Sequence, residues 1–146
     1  MAASTVPAAK QAILDLLVAR AELVDVGVTW GSPTENEDLL PELIYFDGPT
    51  PRRPEWRILA QPNPLDEEYV LTLQVHVRQF GDDEATAEAR CWALIDEVEQ
   101  AVRGDLRLGS LLHVPIEFDE QSIEGLPLSD GWIVRGTVPL VCHARI

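Results

Sequence analysis

Five side chains in this 146-residue chain could do chemistry near neutral pH: Cys91, Cys142, His76, His113 and His143. A hydrolytic nucleophile needs Ser or Cys held against His, usually with a carboxylate orienting that His. No serine sits in a GxSxG turn, and the cysteines lie far apart with no CxxC spacing. Free cysteines of this kind are expected as small, buried, apolar side chains. Metal ligation would call for HExxH or paired CxxC spacing, and neither occurs. His76 and His143 fall on the polar sides of strand patterns, where two exposed histidines could meet if their strands were neighbours. The pair Glu117 and Asp119 is what an acidic chain supplies by chance, and no glycine-rich phosphate loop follows a strand. The expectation is therefore no enzyme, with no catalytic, cofactor-binding or metal site.

The elements that would position these residues follow from hydrophobic spacing. Ala9, Ile13, Leu16 and Leu17, widened by Leu14 and Ala21, mark a helix from Val6 to about Ala21. Thr5 is placed to cap it, with Pro7 tolerated in the first turn. Val26, Val28 and Trp30 alternate as a short strand, and Leu43 to Phe46 form a second apolar run. The clearest strand sets Leu71, Leu73, Val75 and Val77 against Thr72, Gln74, His76 and Arg78. Asp82, Asp83 and Glu84 then open a second helix with the stripe Ala87, Cys91, Leu94, Ile95, Val98 and Val102. Arg103 suits its last turn, and Gly104 is expected to stop it in the left-handed conformation. Val114, Ile116 and Phe118 alternate next. A turn-rich stretch from Gly125 to Gly131 leads to a final strand, with Trp132, Val134, Val138, Leu140, Cys142 and Ala144 on one face. These last two strands should form an antiparallel hairpin, with Pro115 and Pro139 at an edge or a bulge. The order implies an α+β fold, a mostly antiparallel sheet flanked by two helices, in a single domain spanning 1–146.

The formal net charge of −14 sets the sign of the partners. Nucleic-acid backbones and anionic membranes are repelled at long range, since binding either normally requires a basic stripe. No window approaches the apolar length that crosses a bilayer, and the N-terminus lacks a basic segment followed by an apolar one, so a cytosolic, reducing environment is expected. Against this acidic background stands an extended proline-rich loop at about 47–66. Five prolines fall between Gly48 and Pro64, and Arg52, Arg53 and Arg57 surround Trp56. So many prolines argue against regular secondary structure. Tryptophan flanked by arginines is the composition of an interface anchor, so Arg52, Arg53, Trp56 and Arg57 are the candidate protein-interface residues. A solvated connection between two strands is the plain alternative.

Ala8 to Ala21 is followed by Val26-Gly27-Val28-Thr29-Trp30 and, later, by the run from Glu68 to Val77. The helix from Asp83 to Arg103 leads into Asp105-Leu106-Arg107-Leu108-Gly109, and the last strand runs from Gly131 to Ile146. In order and length these elements resemble the tail terminator proteins of long-tailed bacteriophages. The resemblance implies a structural virion protein, assembled in the host cytoplasm, whose six copies form a hexameric ring. That ring would cap the tail tube and join it to the head connector. It implies the major tail tube protein and a head-completion or connector protein as partners, with DNA passing through without specific binding. It implies no enzymatic activity. Other phage neck or minor tail-completion proteins, and cellular protein-binding adaptors, are the alternatives.

Overall fold

A computed structural model describes residues 4–31, 41–56, 65–81 and 83–145, without the side chains of Glu55, Trp56 and Leu65. The fold is α+β: among the described residues, two α-helices and a mostly antiparallel seven-stranded sheet. Its spine is a pair of long strands, β4 (Leu65–Phe80) and β7 (Gly131–Arg145), paired without interruption from Asp66↔Arg145 to Phe80↔Gly131. At about 3.3 Å per residue these strands run roughly 50 Å. Leu71, Leu73, Val75 and Val77 of β4 are buried beside Val134, Val138, Leu140, Cys142 and Ala144 of β7, as the alternation predicts.

That face is covered by α1 (Val6–Ala19) and α2 (Glu84–Arg103), whose buried stripes join it in one apolar cluster. α1 ends sooner than expected. Arg20 leaves the helix, a 3-10 turn follows at Ala21–Leu23, and Leu23 rather than Ala21 enters the core. Arg20 spends its charge on α2, with Nε 2.7 Å from Glu97. α2 has the expected acidic start, where the Asp83 carboxylate accepts from the Thr86 N–H at 3.0 Å. Gly104 does not adopt the left-handed conformation; its φ is −64° and the chain continues in turns, reaching positive φ only at Leu108 and Gly109. Its N–H bonds Ala101, so the helix unwinds gradually instead of stopping.

The remaining strands line the two edges of the spine. β1 (Gly27–Thr29) runs parallel to β2 (Glu42–Phe46), which pairs with Leu73–Val77 of β4. β3 (Arg52–Trp56) continues along β4 over Leu65–Tyr69. On the other side β5 (Glu117–Phe118) and β6 (Ser122–Pro127) both pair antiparallel with β7; the strand expected from Val114 is cut to two residues, and the hairpin with the last strand is made by β6. Ser122–Pro127 was expected to be partly turn; only Leu128 to Gly131 makes the turn, closed by the Leu128 N–H to Gly131 carbonyl bond at 2.7 Å. Between β5 and β6, three residues oppose two of β7, a bulge. Pro139 sits opposite it: its carbonyl accepts from Asp119 N–H at 3.1 Å, and its missing donor faces the same interruption.

Two glycines are dictated by close approach. A Cβ on Gly131 would lie 2.1 Å from the Gln79 carbonyl oxygen across the ladder. A Cβ on Gly136 would lie 2.7 Å from Ile95 Cδ1 and 3.1 Å from Cys91 Sγ, so α2 packs directly on bare backbone there. Gly136→Val is therefore expected to overpack the core and cost about 1–3 kcal/mol. Urea denaturation checks this; an unchanged midpoint would contradict the contact between α2 and β7.

Candidate protein interface

Gly48 to Trp56 does not protrude. The Asp47 N–H donates to Thr72 and the Val70 N–H to Pro51, both at 3.1 Å, so β2 and β3 form one edge strand interrupted at a left-handed Gly48 with φ 77°. Proline is compatible with this place because Pro54, on an edge, has no need of a second ladder donor. The irregular chain expected from proline content is thus corrected for Arg52–Trp56, while 57–64, including Arg57, lie outside the described residues.

The arginines of β3 divide between the two faces of the sheet. Arg52, opposite Tyr69, turns toward the helices and pairs through Nε with the Glu67 carboxylate. Glu67 is 2% exposed, and it gathers the chain's beginning around itself. Ser4 Oγ donates to it at 3.0 Å, and the Thr5 hydroxyl and Thr5 N–H each donate at 2.6 Å. Thr5 Oγ1 also lies 2.9 Å from the hydroxyl of Tyr69, itself buried. Thr5 makes no side-chain cap to its own helix; its hydroxyl is committed to Glu67 instead. The carboxylate lies by the first turn of α1, where the backbone dipole favours negative charge.

Burial alone would push the Glu67 carboxyl up, but the bonds from Thr5, Arg52 and Ser4 together hold it below its ordinary value. A carboxylate lowered by folding stabilises the fold above its unfolded pKa, and that stabilisation is lost as pH falls through the folded value. The charge of Glu67 alone suggests a place in solvent. Its parity with Tyr69, Leu71 and Leu73 was the available signal that it faces inward.

Arg53, opposite Glu68, is exposed on the face away from the helices. It borders a groove of about 330 Å³ lined by Pro51, Arg52, Arg53, Glu68, Tyr69 and Val70. Trp56 closes β3 opposite Leu65, and its side chain lies outside the described residues.

The other candidate groups are dispersed. His76 is not exposed but 3% accessible, beside Leu43 and Arg135. His143 pairs across the ladder with Glu68, eight positions along β4 from His76, so the two histidines do not meet. The neighbour of His143 is His113, with ring centroids 6.4 Å apart. Cys91 and Cys142 are free and fully buried, and burial pushes both thiols up to about 12. Near neutral pH neither supplies a thiolate. Among the described residues no group of three or more His, Cys, Asp or Glu could hold a metal, and no helix is long and apolar enough to cross a membrane.

No family model and no curated protein matches the chain. Among solved structures, a chain from the virion of a native gene transfer agent (GTA) particle shares the fold. The superposition covers 99% of this chain and 100% of that one, with TM-score 0.66 and 16% sequence identity. At that identity the likeness establishes a common fold.

Glu67→Gln keeps the shape and removes the charge. The variant should lose about 1–3 kcal/mol at pH 7. It should also lose part of the wild type's destabilisation in acid, as read by thermal unfolding between pH 3 and 7. Parallel stability profiles for the two proteins would contradict a charged, bonded Glu67.

Proposed function

We propose that this protein is a structural component of a phage-type virion, whose copies close into a hexameric ring on the end of the tail tube and join it to the head connector. The observation that carries the proposal is the likeness to a virion chain over essentially the full length of both chains. A shared domain buried inside an enzyme of different length would not produce that coverage. The order of elements that resembles the tail terminators is also the order observed, from α1 through the long strands to the final β7.

Charge is compatible with this role. The chain carries −14 overall, and exposed acids stand at Glu117, Glu120 and Glu124 in and between β5 and β6. A ring lined by such surfaces repels phosphates, so DNA slides through without adhering. In this reading the subunit contact lies at the β3 edge, where Arg52 holds the strand to Glu67, Arg53 faces outward and Trp56 is the last residue, with Arg57 following in sequence. The tail tube protein and the connector are the remaining partners, and the virion is the location.

Electron microscopy of tail tubes incubated with gold-labelled protein tests this reading. Label confined to one end of each tube is expected. Label along the tube wall, or none at all, would refute the capping role.

A further inference from the structure

Trp92 follows the buried Cys91 on α2, and it points away from the core at 43% exposure. Trp30 is equally exposed, but Lys10 stands 5.5 Å over its ring and Phe46 packs edge-on at 6.5 Å. Among the described residues neither a cation nor a ring packs on Trp92. The exposed residues Ala85 and Ala89 share its helical surface, so small neighbours adjoin the indole on a rigid element. Glu88 and Asp96, four residues to either side, give it an acidic rim.

The groove beside β3 has the chemistry an indole needs. Pro51 and Val70 supply apolar walls, the Arg53 guanidinium can lie on the ring face, and the Glu68 carboxylate can accept the indole N–H. A volume of about 330 Å³ admits one aromatic side chain. Arg53 also complements Glu88 and Asp96 in charge.

We propose that Trp92 of one copy inserts into the Pro51, Arg53 and Val70 groove of a second copy of this chain. α2 covers one face of the sheet, whereas Arg53, Glu68 and Val70 have the parity of the other face, opposite to buried Glu67 and Tyr69. One subunit therefore cannot fill its own groove. The contact is head-to-tail, joining different surfaces of successive copies, the kind of contact that forms a ring when the rotation between copies closes. This inference rests on the ring-forming role proposed above and names the surfaces that form it.

Mass photometry of wild type, Trp92→Ala and Arg53→Glu tests it, over a concentration series with and without the tail tube protein. Circular dichroism confirms the folded state, which exposed substitutions should leave intact. Assembly at least tenfold weaker in both variants is expected. Wild-type rings with unimpaired rings from Trp92→Ala would overturn this contact and leave the ring-forming role standing. Wild type that stays monomeric under every condition would overturn both.

Discussion

The structure depends on one constraint: β4 and β7 must stay in register over 15 paired positions. Side chains alternate with period two, so a slip of one residue would move Leu71, Leu73, Val75, Leu140 and Cys142 from the core to the opposite face. Register is held at several places. Gly131 allows the backbones to cross closely at one end, Arg145 pairs with Asp66 at 3.2 Å at the other, and Gly136 admits α2 in the middle. Each shorter strand takes its position from this ladder. That is why β2 with β3, and β5 with β6, appear as interrupted strands along its two edges.

Glu67 extends that order to the beginning of the chain. A buried carboxylate without partners would be costly, and here Ser4, Thr5 and Arg52 compensate it with charge-assisted bonds. One carboxylate thus couples the start of α1 to the β3 edge, the edge proposed for subunit contact. Arg52 and Arg53 are adjacent in sequence yet serve opposite faces: one anchors the strand from below, the other stays available above. An anchored edge presents its groove in a fixed shape, which reduces the ordering cost of association.

Legibility in the sequence followed burial contrast. β4 and α2 could be read because each sets an apolar core face against a more polar one, so the period is plain in the residue types. β3 was hidden by its prolines, which an edge strand tolerates and an interior one does not. β6 was hidden because Ser122–Pro127 is mostly exposed and includes Gly125, leaving little alternation to detect. The charge of Glu67 points toward solvent, and only the partners from distant Ser4, Thr5 and Arg52 make its burial intelligible. Trp92 went unnoticed beside the clean stripe of α2, because exposure of a single aromatic is a tertiary fact. The candidate interface residues could be named from composition, but the division of Arg52 and Arg53 between faces required the register.

The central claim is that this fold works by closing with copies of itself. The sheet's two sides differ: helices with acidic outer surfaces on one, and on the other the Arg53 groove at an anchored edge. Native mass spectrometry of the protein with its tail tube protein is the most direct measurement. The account predicts one discrete closed oligomer, with a mass of six subunits of 16.2 kDa, and no open-ended series. A spectrum of monomer alone, or a continuous ladder with no preferred size, would contradict it.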